Sequence, residues 1–143
     1  MLVDNYYLYT IFINSAMGNK VILDTNAVLR FITNDDPIKA QEVLQILEEN
    51  EVIITIATVI ETVYILKSKR HLYKWKKERI AEVLIDFLSL PNVYTEDYII
   101  DAITLWKEYN IDDIEDAINC ILANKLEAEL FTYDETLKKV CGN

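Results

Sequence analysis

The stretch Val21-Ile22-Leu23-Asp24-Thr25-Asn26 decides how this chain folds. Three apolar residues end abruptly in a carboxylate followed by two small polar side chains. A parallel strand covered on both faces reads as a continuous apolar run, and open α/β sheets bind ligands in the crevice beyond the carboxyl ends of their strands. Asp24 stands at that position. It also suits the N-cap of a helix beginning near Ala27, since a cap favours Asp, Asn, Ser or Thr. Both readings give the same local structure, a strand that turns into a helix with an acid at the junction.

Outward from this stretch the same order recurs. Ala27 to Ile32 reads as a short helix, and Thr33-Asn34-Asp35-Asp36-Pro37 as a loop whose proline opens the next helix. There Ala40, Val43, Leu44, Ile46 and Leu47 keep the 3.6-residue period while Glu42, Glu48 and Glu49 take the wet side. Val52 to Ile56 is β-branched and predicts a second strand. From Val52 to Leu66 the only charge is Glu61. Acids are seldom buried unless paired or bound to metal, so Glu61 belongs at the rim of a crevice. Alternatively, Thr58-Val59-Ile60-Glu61 spells a capping box that places it in the first turn of a helix.

Ile80, Val83, Leu84, Phe87 and Leu88 continue an amphipathic helix that ends before Pro91. Val93-Tyr94-Thr95 predicts a third strand, and Tyr98 to Tyr109 a helix with Ile99, Ala102, Ile103 and Trp106 inward. Asp112, Asp113, Glu115 and Asp116 then crowd the start of another helix, where some negative charge is ordinary. Asp113 and Asp116 share one face of it. Leu130-Phe131-Thr132 predicts a fourth strand, again followed by an acid, Asp134, and a last short helix. Repeated strand-then-helix order predicts an α/β fold, a three-layer α/β/α sandwich around a mostly parallel sheet of four to five strands.

At 143 residues and 52% hydrophobic composition, the chain suits a single core-bearing domain. That domain is expected over 20–143, after an N-terminal extension, 1–19, in which Met17 is a second candidate start. A net charge of −10 excludes coating of nucleic acid by bulk electrostatics. One local patch runs the other way: Lys67 to Arg79 holds seven of the fourteen basic residues. Lys67, Lys69, Arg70, Lys74, Lys76 and Lys77 are candidate contacts for an RNA backbone, with Tyr73 and Trp75 as stacking rings. A solvated surface is the plainer reading of the same stretch. Cys120 and Cys141 show neither zinc nor disulfide-framework spacing, so Cys120 is expected as a buried small hydrophobe in a reducing, cytoplasmic protein. No apolar run reaches the ~20 residues that span a bilayer.

In a parallel sheet all carboxyl ends lie along one edge, so Asp24, Glu61 and Asp134 can converge there, with Asp113 and Asp116 at the helix leading into the last strand. Two carboxylates ~4 Å apart repel by about 4 kcal/mol at an effective dielectric near 20. A hard divalent cation such as Mg²⁺ or Mn²⁺ removes that penalty, and it takes oxygen ligands. Such a site hydrolyses phosphodiesters with a metal-activated water. Other chemistries lack their parts. His71 is the only histidine, two glycines rule out a glycine-rich phosphate loop, and Asn26 stands where a phosphatase of another α/β type would want a second acid.

The segments VILDTNAVLRFITNDDP (21–37), TIATVIETVYILKSK (55–69) and IDDIEDAINCILANKLEAELFTYDETLKK (111–139) resemble the PIN domain, in particular the VapC-type toxin ribonucleases of toxin–antitoxin pairs. The resemblance implies Mg²⁺- or Mn²⁺-dependent endoribonuclease activity that leaves a 5′-phosphate, a homodimer, and a cognate antitoxin protein that covers the acidic groove. It makes Asp24, Glu61, Asp116 and Asp134 the four acids in order, with Asp113 able to share the third role and Thr25, Asn26 and Thr132 supporting the site. A non-catalytic PIN-fold module working by dimer or antitoxin contact is the alternative from a different class.

Overall fold

The computed structural model describes residues 18–68 and 72–142. Its sheet has three parallel strands in the order β1 (Lys20–Ile22), β2 (Glu51–Ile53) and β3 (Val93–Tyr94). Val52, fully buried, pairs with Val21 on one side and Val93 on the other. Parallel strands need long crossovers, and helices supply them. Helices α1 (Thr25–Thr33) and α2 (Pro37–Glu49) connect β1 to β2, and α3 (Ile56–Lys67) and α4 (Lys77–Leu88) connect β2 to β3. Helices α5 (Ile99–Glu108), α6 (Ile114–Lys125) and α7 (Glu135–Val140) follow. The expected α/β architecture, a parallel sheet flanked by helices, is present. Its core joins Val52 and Ile54 of the central strand and its extension to Leu66, Ile80, Leu84, Ile99, Ile103 and Trp106, each at most 2% exposed.

Helix starts follow the polar residues at the strand ends. Asp24 caps α1, Asp36 caps α2 with Pro37 behind it, Thr55 caps α3 and Asp134 caps α7, each through a side-chain oxygen that accepts a backbone N–H. The cap of α3 corrects one expectation. Thr55 Oγ1 accepts from Thr58 N at 3.3 Å, so the helix begins three residues earlier than a Thr58 box requires. Glu61 therefore falls in the second turn, on the exposed face, where it has no cap to bond.

Two further expectations are corrected. Leu130-Phe131-Thr132 is not a fourth strand: among the described residues the sheet has three strands, and this segment is irregular. It keeps the alternation that suggested a strand, with Leu130 and Thr132 half-buried and Phe131 exposed, but it lacks a ladder partner. The chain leaves α6 through Glu127 in the left-handed region (φ 52°). The cysteines, expected to be unlinked, form a disulfide between α6 and the end of α7, with Cα atoms 5.5 Å apart. Their meeting depends on the chain after α6 bringing Cys141 back to Cys120, which the spacing does not announce. Among the described residues no helix is long and apolar enough to cross a membrane.

Helix α7 is short and packs little against the other helices; Leu137 and the disulfide tie it down. Closing a loop of this size contributes about 3 kcal/mol in the chain-entropy model. Cys141→Ala, or reduction of the wild type, is expected to lower the unfolding free energy by about that amount in urea denaturation. Unchanged denaturation would mean that the apolar contacts of Leu137 and its neighbours hold α7 alone.

Candidate active site

Asp24 follows directly on Leu23, just past β1, and its Oδ1 accepts from Ala27 N at 2.9 Å. The cap reading is therefore real, and it fixes the carboxylate at the carboxyl edge of the sheet. Thr25 is buried behind it, while Asn26 is exposed. Glu61 projects from the exposed side of α3.

The remaining acids stand at the starts of α6 and α7. Asp113 occupies the N-cap position of α6 without using its side chain there, and its carbonyl accepts from Asp116 N at 3.1 Å. The half-buried Asp116 carboxyl is pushed above the usual carboxylate range, first by burial and then by the negative charges of Asp113, Asp134 and Asp112. Asp134 arrives from the other side, its Oδ1 accepting from Leu137 N at 3.0 Å and its own N–H donating to Thr132 Oγ1 at 3.1 Å. Thr132 thus supports Asp134 directly. The structure brings together Asp112, Asp113, Asp116 and Asp134; Asp24 and Glu61 are not among the charges that raise Asp116.

These donors are all hard oxygens, the chemistry that Mg²⁺ or Mn²⁺ takes. A carboxyl disfavoured as an anion by three neighbouring acids is also an electrostatic deficit that a cation fills. In that respect the residues fit a divalent ion. In spacing they are open: among the described residues no three His, Cys, Asp or Glu side chains are grouped so as to hold a metal.

The start of α6 is set by a knot of cations on backbone oxygens. Lys77 Nζ donates to the carbonyls of Tyr109 (3.0 Å) and Ile111 (2.8 Å), and Lys67 Nζ to that of Asp112 (2.7 Å). The Trp106 indole N–H donates to the same Asp112 carbonyl at 3.1 Å. Both ammonium groups lie over the Trp106 ring, 5.9 Å (Lys67) and 5.3 Å (Lys77) from its centroid. Burial, with Lys67 close by, lowers the Lys77 ammonium below its usual range. Two of the lysines expected on RNA therefore hold the protein's own backbone.

Lys74 and Lys76 remain exposed, Lys74 with a φ of 50°. The expected stacking rings are engaged within the chain. Arg79 covers the face of Trp75 at 3.9 Å from its centroid, and Tyr73 meets Trp75 edge-on at 6.4 Å. The Tyr73 hydroxyl donates to Asp35 at 2.5 Å, and Arg30 pairs with the same carboxylate at 2.7 Å. The Tyr73 hydrogen bond and the Arg30 guanidinium hold the Asp35 carboxyl below its usual range. Lys69, Arg70 and His71 lie outside the described residues.

The model of the PIN domain matches residues 21–143, which is all of the sheet but its first residue, Lys20, and all seven helices named above. The chain belongs to the PIN domain family. PIN domains are in general metal-dependent nucleases that act on RNA. Comparison with curated proteins and with solved structures gives no match. Within this PIN domain, sequence reasoning missed Asp112 as a third charge acting on Asp116, although its place in the acid run was a signal. It also missed Asp35, whose link to Tyr73 spans 38 positions and leaves no mark in either segment.

The two kinds of lysine separate by stability. Hydrogen bonds to charged groups contribute ~1.5–3 kcal/mol each, and burial shields those of Lys77 from water only in part. Lys77→Met is expected to cost about 2 kcal/mol in urea denaturation, whereas Lys74→Ala and Lys76→Ala stay within about 0.5 kcal/mol of wild type. Equal effects would contradict the division into structural and exposed lysines.

Proposed function

We propose that this PIN domain is a metal-dependent endoribonuclease, the toxin of a toxin–antitoxin pair, with Asp24, Glu61, Asp116 and Asp134 as its catalytic acids. In this reading Asp24, Glu61 and Asp116, with Asp113 sharing the third place, hold Mg²⁺ or Mn²⁺, and Thr25, Asn26 and Thr132 support them. Lys74 and Lys76, with Lys69 and Arg70, receive the RNA backbone, while Lys67 and Lys77 act mainly from within. The observation that carries the reading is the Asp116 carboxyl, raised by burial and by acids from two separate segments of the chain.

When bound, the cation supplies an activated water and neutralises charge on the attacking and leaving oxygens. The chain's own part is positional. The helix caps fix Asp24 and Asp134 by their Oδ1 atoms, and the knot around Trp106 fixes the turn from which Asp113 and Asp116 project. A homodimer and a cognate antitoxin over the acidic groove complete the proposal, as does the division into an extension, 1–19, and a nuclease domain, 20–143.

A second reading, a PIN-fold module acting by dimer or antitoxin binding alone, is favoured by the open spacing of the acids. Cleavage of a cellular RNA pool by the purified chain in Mn²⁺, Mg²⁺ or EDTA separates the two. Asn caps a helix about as well as Asp, so Asp24→Asn keeps the cap of α1 and the fold. The expected result is cleavage that requires a divalent cation and falls in Asp24→Asn by more than about a hundredfold, the upper range for disturbing a group that merely orients a metal ligand. Full activity in the variant removes Asp24 from the site, and no cleavage with any cation favours the binding module.

A further inference from the structure

The irregular segment between α6 and α7 sorts its side chains by alternation. Leu130 and Thr132 are half-buried, while Phe131 is 77% and Tyr133 86% exposed. The two outward rings meet each other. Their centroids lie 5.4 Å apart with the planes at 82°, an edge-to-face pair. Such a pair covers one face of one ring and leaves the remaining faces to solvent.

A lone exposed ring is unremarkable on a protein surface; two in contact beside a cavity form a platform. That cavity, of about 330 Å³, is lined by Phe131 and Tyr133 with Glu129 on the segment, and by Leu137 and Lys138 of α7. It adjoins the candidate active site. Asp134 is the next residue after Tyr133, its N–H donates to the Oγ1 of Thr132 between the two rings in sequence, and its charge acts on Asp116. Lys138 meets Glu135 at 3.1 Å in an exposed pair one helical turn long. A surface pair of this kind contributes little in water, so its ammonium can turn to a stronger anion.

Area and charge select the occupant. A stable protein–protein interface takes about 800 Å² from each partner, and two rings of about 150–250 Å² each supply about half of that. A phosphate set against Glu129, Asp134 and Glu135 is repelled, whereas an uncharged planar base is not, and its π-face stacks on an aromatic ring. A base inside a duplex has both faces taken already. We propose that Phe131 and Tyr133 form a nucleobase platform beside the acids, on which an unpaired base of single-stranded RNA stacks while Lys138 takes an adjoining phosphate. The choice of RNA as ligand rests on the nuclease reading above; the place of the base rests on the rings and their cavity.

Stacking and charge leave different signatures. Loss of a base–aromatic stack weakens binding by about 5- to 150-fold and leaves the salt dependence alone, whereas loss of a phosphate contact flattens it. The test is binding of a fluorescently labelled single-stranded oligoribonucleotide, and of an abasic strand of the same length, to the full chain in EDTA over a series of salt concentrations. Both rings are exposed, so Phe131→Ala/Tyr133→Ala should unfold within about 0.5 kcal/mol of wild type. This variant is expected to lose affinity for the intact strand in the stated range with an unchanged salt slope, and to bind the abasic strand like wild type. Phe131→Tyr/Tyr133→Phe, which keeps two rings, should bind like wild type, and Lys138→Ala should show a shallower slope. The proposal is overturned if the alanine variant binds the intact strand like wild type, if it loses the abasic strand equally, if wild type binds no RNA or prefers a blunt duplex, or if the loss follows a change in oligomeric state. Metal-dependent cleavage by a wild type whose RNA affinity ignores both rings would sink the platform and spare the nuclease; ring-dependent binding without cleavage would do the reverse.

Discussion

The turn between α5 and α6 depends on two lysines and a tryptophan that reach its carbonyl oxygens. Lys77, Lys67 and the Trp106 indole hold the oxygens of Tyr109, Ile111 and Asp112, and the fully buried Trp106 ring lies beneath both ammonium groups. The carbonyl of Ile111 lies in a half-buried setting where an unpaired oxygen is costly, and Lys77 supplies its partner. The consequence is functional. Acids beginning at Asp112 emerge from a fixed turn, and Asp112 lies close enough to Lys77 for their charges to be felt.

A second economy runs through the helix caps. Asp24 and Asp134 each spend one oxygen on a backbone N–H at a helix start. A cap restricts the carboxylate to one orientation, and a site that must gather like charges gains from acids that are already held. Capping and catalysis are therefore compatible roles for one residue in a PIN fold, and the ordinary one makes the other cheaper to arrange. Asp116 is different: it is half-buried, and burial with the charges of Asp113, Asp134 and Asp112 disfavours its anion.

Much of the fold was legible in the sequence because it rests on local pattern. The period of Ala40, Val43 and Leu47, the proline at 37 and the β-branched run at Val52 each specify an element without help from distant residues. What escaped depended on partners far along the chain. Nothing around Lys67 or Lys77 shows that their ammonium groups turn inward to carbonyls 45 and 34 positions away. Cys120 and Cys141 meet only because the chain after α6 brings one back to the other. Leu130 to Thr132 has the alternation of a strand, and only a partner strand makes it one. The acids were legible as candidates from their positions after strands and at helix starts, but which of them feel one another's charge is a property of the folded chain.

The central claim is that the acids around Asp116 form a cation site. Thermal unfolding of the wild type and of Asp116→Asn, in EDTA and in rising Mn²⁺, tests it most directly. A group whose folded pKa is raised destabilises the fold once ionised, so in EDTA at neutral pH the Asn variant should melt higher than wild type. Mn²⁺ should then raise the wild-type melting point, with stabilisation approaching about 2.7 kcal/mol at a hundred times the dissociation constant, and leave the variant nearly unmoved. Melting curves that coincide with and without cation for both proteins would contradict the account.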